Sequence, residues 1–172
     1  EVKSGSSEVR ALHQRASQWY EDNSFPDDAI HHALVTRDWE RAMRLISSIA
    51  DDLIKRAEIR TLLNRLQVIP DRLLRTDFHL YRQYARALVQ TGQLDAAEAA
   101  LGFLEIETRE DSVMQGEVAA LQADLVMRKG DIPRAIELGE KALSLLPPDN
   151  LTYRGRASHT LGIIHFDLGN FD

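Results

Sequence analysis

The sequence predicts an all-α fold, a superhelix of antiparallel helical hairpins, and three observations carry that prediction. Gly92-Gln93-Leu94-Asp95-Ala96-Ala97 and Gly130-Asp131-Ile132-Pro133-Arg134-Ala135 share one turn pattern, and Gly169-Asn170-Phe171-Asp172 begins a third copy. The spacings of 38 and then 39 residues fall in the range of stacked helical hairpins. Apolar residues recur at helical spacing along the chain, and 5 Pro and 9 Gly among 172 residues argue against a turn-rich all-β fold. Such stacks hold partners or ligands and seldom carry bond-making chemistry.

Each element follows from local pattern. Between Glu8 and Asp22, Val9, Leu12, Ala16, Trp19 and Tyr20 line one helical face, and Asn23-Ser24-Phe25-Pro26 breaks it. Pro26-Asp27-Asp28 suits a first helical turn, where proline's missing N–H is harmless and carboxylates meet the positive end of the dipole. That helix turns Ala29, Ile30, Ala33 and Leu34 inward, and Thr36-Arg37-Asp38 ends it. A third helix starts near Asp38, with Trp39, Ala42, Met43, Leu45, Ile46 and Ile49 apolar, and a fourth from about Ala57 to Val68 buries Ile59, Leu62, Leu63 and Leu66. Pro70 stops it, and a short turn, Asp71-Arg72-Leu73-Leu74, leads to the helix of Tyr81, Tyr84, Ala85 and Leu88.

Beyond this point the repeats are clear. Tyr81, Tyr84, Ala85 and Leu88 align with Ala119, Gln122, Ala123 and Val126 and with Ser158, Leu161, Gly162 and His165, all counted back from a turn glycine. Small residues in this 3-1-3 spacing let a second helix approach closely, and Ala97, Leu101 and Leu104, then Ala135, Gly139 and Ala142, answer from the following helices. Pro147-Pro148 closes the second unit. These residues resemble the tetratricopeptide repeat, best from about Gly116 to Pro147 and nearly as well from Phe78 to Glu105. The resemblance implies a right-handed superhelix. In the first 70 residues Ser24 and Arg37 stand where a turn glycine is usual, only 13 residues apart, so that part is expected to be a helical array of irregular period. The organisation expected is a flexible lead-in over residues 1–7, an irregular array over 8–76 and repeats over 77–172, with 8–172 one continuous domain. The third copy breaks off at Asp172 and no initiator Met is present, so a piece of a longer protein is expected.

Composition narrows the function classes. The absence of Cys excludes disulfides, thiolate nucleophiles and Cys-based metal sites from this chain. No apolar run approaches the roughly 20 residues that span a bilayer, and the expected location is cytoplasmic. A net charge of −6 offers no general attraction to nucleic acid or anionic membrane. Within it, Lys55 to Arg86 forms a basic island of +5, against −11 for the remainder, fit either to dock an acidic surface or anionic inducer or to lie solvated on helix faces.

No constellation for catalysis emerges. His31 and His32 are adjacent, so their side chains point about 100° apart on a helix and cannot chelate one metal as an i,i+4 pair can. Asp27 and His31 have that spacing, but two ligands make no closed site. No nucleophile elbow accompanies the Ser, His and Asp residues, and Glu105 and Glu107 fall in a loop or helix end. Trp19 and Trp39 follow the apolar spacing and read as core rather than as ligand platforms. The chain is expected to be non-catalytic and to carry no cofactor or metal. The candidate binding surface is the other face of the first helices, which lines the concave groove in stacked hairpins. Counting back from the glycines gives His79, Arg82, Arg86 and Val89; Glu117, Ala120, Asp124 and Met127; and Arg156, His159, Ile163 and Phe166. Arg82 and Arg86 beside Glu117 and Asp124 suit a polar or anionic effector, unless the charges only neutralise one another.

Longer strings carry a wider resemblance: Leu12-His13-Gln14-Arg15-Ala16-Ser17-Gln18-Trp19-Tyr20, Pro26-Asp27-Asp28-Ala29-Ile30-His31-His32-Ala33-Leu34, Asp38-Trp39-Glu40-Arg41-Ala42, Ile69-Pro70-Asp71-Arg72-Leu73-Leu74 and Thr91-Gly92-Gln93-Leu94-Asp95-Ala96-Ala97. Together they resemble the helical region of the MalT-like, LuxR-type large ATP-binding transcriptional regulators of bacteria. The resemblance implies a superhelical sensor of a small-molecule inducer or regulatory protein, placed between an NTPase module and a DNA-binding helix-turn-helix. ATP and DNA belong to the implied parent, since no Gly-x-x-x-x-Gly-Lys-Ser/Thr loop occurs in this chain. Effector binding is expected to shift the array's curvature or docking on the parent's other domains, relieving autoinhibition. The alternative is a tetratricopeptide adaptor for a peptide segment, unrelated to transcription.

Overall fold

The computed structural model describes residues 2–167, with side chains from 7 to 166. Ten helices and no strand occur among the described residues: α1 (Val2–Asp22), α2 (Pro26–Thr36), α3 (Trp39–Lys55), α4 (Ile59–Val68), the single turn α5 (Asp71–Leu74), α6 (Phe78–Gln90), α7 (Leu94–Glu107), α8 (Ser112–Arg128), α9 (Ile132–Leu145) and α10 (Leu151–Asp167). The fold is all-α and helical-repeat in kind, as predicted. Helix α1 begins at Val2, before the Glu8 start read from the apolar pattern, and the third glycine turn, at Gly169, lies outside the described residues. No helix among them is long and apolar enough to cross a membrane.

The helices separate into two compact units, one ending at Leu80 and the other beginning at Tyr81. In the first, α1 packs on α2, α2 on α3 and α3 on α4. Its core is Ala29, Ile30, Ala33, Ala42, Leu45, Ile46, Leu62, Leu63 and Leu66, the residues whose spacing turned them inward. Glu21 of α1 joins α3 by accepting from Arg41 at 2.9 Å and Arg44 at 2.5 Å. The Arg44 hydrogen bond chiefly holds its carboxyl below the usual range, with burial acting against it. In the second unit, α7 packs on α8, α8 on α9, and α10 on both α8 and α9. Tyr81 of α6 meets Phe103 of α7 edge-on with ring centroids 5.4 Å apart.

The predicted crossings are built from small residues. Ala85, Ala97, Ala119, Ala123, Ala135 and Ala142 are almost wholly buried. A Cβ added at Gly116 would lie 2.8 Å from Cγ of Leu146, and one at Gly139 would lie 2.9 Å from Leu161. The third copy departs from the pattern: Ser158, Gly162 and His165 are exposed. The first helix departs too. Val9, Leu12 and Trp19 are more than half exposed, so Trp19 is not the core residue its spacing indicated; it instead stacks parallel to exposed Phe25, centroids 6.5 Å apart.

Five helix ends share one turn. Ser24, Arg37, Ala57, Gly92 and Gly130 all have φ between 57° and 87°. At each, the next residue's N–H reaches a carbonyl five back: Phe25 to Tyr20, Asp38 to Ala33, Glu58 to Leu53, Gln93 to Leu88 and Asp131 to Val126. This is the left-handed helix C-terminus that glycine favours, and the first three ends adopt it without glycine. The irregular front of the chain thus uses the same turn as the repeats, at a conformational cost of roughly 1–2 kcal/mol per non-glycine residue. Asp side chains cap the helices that follow: Asp38, Asp111 and Asp131 accept from the N–H groups of Arg41, Met114 and Arg134.

Glycine substitutions are therefore expected to split by sign. Gly130→Ala, with open space around it but φ at +87°, should cost about 1 kcal/mol in urea denaturation. Gly155→Ala, within α10 and also in open space, should stabilise by about 0.5–1 kcal/mol.

A histidine cluster adds a pH dependence. His13 and His32 place their Nδ1 atoms 2.7 Å apart, joining α1 to α2, and Tyr20 stacks on His32. Burial first, then the charges of His13 and His31, hold the His32 imidazole below its ordinary value of 6.5, with Asp28 opposing. The unfolded chain therefore binds more protons below pH 6.5, so stability is full above that value and falls as pH drops toward the folded-state value. The urea midpoint is expected to fall from about pH 7.5 to about 5.5, with a shallower fall in His32→Gln.

Candidate functional site

Helices α6, α8 and α10 bring most of the predicted groove residues together. Arg82 and Arg86 are four apart on α6 and share a face; Glu117 and Asp124 are seven apart on α8; Tyr153 and Arg156 are three apart on α10. Arg82 donates to Oε2 of Glu117 in an ion pair whose side chains are 12% and 10% exposed. Asn150, whose carbonyl caps α10 by accepting from Tyr153 N–H, donates to the other Glu117 oxygen at 2.7 Å. Arg156 donates to Oδ2 of Asp124 at 2.8 Å, and Arg128, on the next turn of α8, donates to Oδ1 at 2.7 Å. Every carboxylate oxygen of Glu117 and Asp124 thus has a cationic or amide donor.

The arginines outnumber the acids. Arg86 has no carboxylate within ion-pair distance among the described residues and meets the Tyr153 ring instead, its Cζ 6.0 Å from the centroid, with Arg82 at 5.0 Å. Four arginines against two carboxylates leave two positive charges in excess. Burial foremost, and then the charge of Arg86, lowers the Arg156 guanidinium from its usual value, while Asp124 acts in the opposite direction. The Nε atoms of Arg82, Arg86 and Arg156 and the Tyr153 hydroxyl are all buried without a hydrogen-bond partner among the described residues. All four can donate, and buried donors of this kind are costly to leave unmatched.

Beside this cluster runs a groove of about 410 Å³ lined by Gln90, Asp124, Met127, Arg128, Thr152, Arg156, His159 and Ile163. Met127, Arg156 and His159, all drawn from the repeat spacing, therefore share a recess with Asp124, while Arg82, Arg86 and Glu117 form the adjoining network. His79, exposed in the first turn of α6, belongs to the first unit. Val89 and Ala120 of the same predicted face are fully buried, and Phe166 is 66% exposed. The turn-glycine count missed Tyr153, Asn150 and Arg128. Tyr153 lies one helical step before Arg156, and Arg128 is i+4 from Asp124, so both were legible from helical spacing.

The first unit holds a second recess, of about 690 Å³, between α3 and the α5 region: Trp39, Glu40, Met43, Arg44, Ser47 and Ser48 line it with Leu73, Thr76 and Asp77. Trp39, read as core, is only half-buried and forms part of its wall. The basic island is divided. Arg65 pairs with Asp27 at 2.7 Å and Arg75 with Asp71 at 2.6 Å, whereas Arg56, Arg60 and Arg72 lie exposed. Among the described residues no three His, Asp or Glu side chains come together as metal ligands would.

Breaking the Arg82–Glu117 pair by Glu117→Ala is expected to cost about 3 kcal/mol, because Arg82 and Asn150 are left unpaired in a largely buried site. The same substitution at Glu137, paired with Arg134 at the surface, should cost less than about 1 kcal/mol in the same urea titration.

The chain is 30% identical over 170 residues to the serine/threonine-protein kinase PknK of Mycobacterium tuberculosis (strain ATCC 25618 / H37Rv), covering 94% of this chain and 15% of that protein. It is 29% identical over 170 residues to the HTH-type transcriptional regulator MalT of Vibrio parahaemolyticus serotype O3:K6, covering 94% and 18%. MalT of Cronobacter sakazakii (strain ATCC BAA-894) is 27% identical over 163 residues, with 93% and 18% covered. No protein-family model matches the chain, and no solved structure matches it significantly. The chain therefore spans less than a fifth of these relatives' length, and nearly all of it is similar, at 27–30% identity, to one segment of PknK and of MalT.

Proposed function

We propose that this chain is a non-catalytic, helical sensor segment of a bacterial transcriptional regulator, which binds an inducer or regulatory protein in the groove of α6, α8 and α10. The observation that carries the reading is the charged cluster at that groove: repeat spacing alone nominated Arg82, Arg86, Glu117, Asp124 and Arg156, of which Asp124 and Arg156 line the recess and the other three adjoin it. The similarity to both a transcriptional regulator and a protein kinase supports it further. A segment common to two proteins whose names describe different outputs is better suited to receiving a signal than to making either output. In this reading ATP and DNA are handled by other domains of the parent, the chain itself uses no cofactor and touches neither DNA nor membrane, and the location is cytoplasmic.

Mechanistically, an effector that favours one docking state of the helices over another shifts the population of that state, by no more than its difference in affinity for the two. A metabolite library screened by thermal shift against the 172-residue chain is expected to yield ligands whose shift disappears in Arg156→Ala, each measured against that variant's own baseline. A flat response across the library, or shifts indifferent to Arg156, would contradict the assignment.

A further inference from the structure

The sensor reading leaves the chemical class of the effector open, and the donors of the site narrow it. Tyr153 and the three arginines Arg82, Arg86 and Arg156 leave four buried donors unmatched among the described residues, three guanidinium Nε–H groups and one phenol O–H. Each carboxylate oxygen nearby already accepts from one donor, those of Glu117 from Arg82 and Asn150 and those of Asp124 from Arg128 and Arg156. Cationic donors are in surplus over these two carboxylates, and a further anionic acceptor would match them. The three clustered arginines are not equivalent in this respect. Arg82 is committed to Glu117; Arg156 makes one bond to Asp124 and lines the groove; Arg86 has no acidic partner among the described residues and lies one helical turn before the groove residue Gln90.

We infer that the groove binds a small molecule through an anionic group, a carboxylate or a phosphate, held by Arg156 in the groove wall and by Arg86 and the Tyr153 hydroxyl, which adjoin the recess without lining it. The guanidinium fork suits both oxyanions, and Asp124 retains Arg128 when Arg156 turns to the ligand. A recess of about 410 Å³ has the size of a metabolite site rather than of a protein interface. The inference rests on the sensor reading of the same groove and adds the ligand's charge. It also separates the arginines that the sequence grouped together, making Arg82 a positioning residue and Arg86 the one that meets the ligand.

The test uses inorganic phosphate and succinate as probes of the 172-residue chain, with chloride at matched ionic strength as the control. Saturable stabilisation with a midpoint on the order of millimolar is expected from at least one probe, and which of the two acts separates phosphate from carboxylate recognition. Arg86→Gln should weaken it at least about tenfold, while Arg60→Gln, an exposed arginine of the first unit, should leave it unchanged. Independently of any variant, the bound anion should protect Arg86 and Arg156 from phenylglyoxal, with Arg60 still modified. Stabilisation that chloride reproduces, equal responses from wild type and Arg86→Gln, or protection absent at Arg86 would overturn the anion site. If neutral library compounds nevertheless gave Arg156-dependent shifts, the sensor reading would stand without it.

Discussion

The ion pair between Arg82 and Glu117 is the interaction on which the candidate site depends. It joins α6 to α8 where little water reaches, and Asn150 at the start of α10 completes the carboxylate's shell, so one acidic side chain fastens three helices. Burying such a pair carries a desolvation penalty that close geometry and additional hydrogen bonds must offset. Glu117 pairs with Arg82 and Asn150 and Asp124 with Arg128 and Arg156, and among the described residues Arg86 has no carboxylate within ion-pair distance. The positive surplus of the groove therefore follows from the same network that closes it.

The helical-repeat architecture was legible in the sequence because its determinants are local. A glycine with positive φ, an Asp cap and small residues at 3-1-3 spacing act within a few residues of one another, and Gly92, Gly130, Ala119, Ala123, Ala135 and Ala142 all stand where their spacing placed them. The front of the chain was harder to read because Ser24, Arg37 and Ala57 take the left-handed conformation without glycine. A non-glycine residue gives little warning that the surrounding helices impose that geometry. Trp19 shows the opposite failure: apolar spacing reports which face of a helix a residue occupies, and it cannot report whether another helix covers that face.

The same division runs through the site. Repeat register was sufficient to select Arg82, Arg86, Glu117, Asp124, Met127, Arg156 and His159, since one face of successive first helices converges. Register could not say which arginine each carboxylate would choose. That choice depends on side-chain reach and on residues such as Asn150 and Tyr153, which stand outside the count taken from the glycines. Sequence thus grouped these charges on one face, and the pairing that leaves Arg86 without a carboxylate among the described residues is a property of the folded chain.

A residue kept for binding at the expense of packing should betray itself in stability. Urea denaturation of Arg82→Gln beside Arg86→Gln tests this most directly. Arg82→Gln is expected to destabilise the chain, because Glu117 loses its cationic partner, whereas Arg86→Gln should leave stability unchanged or raise it by about 0.5 kcal/mol through relief of repulsion with Arg156. A loss at Arg86 as large as the loss at Arg82 would show that Arg86 is a structural residue and not one held for a ligand.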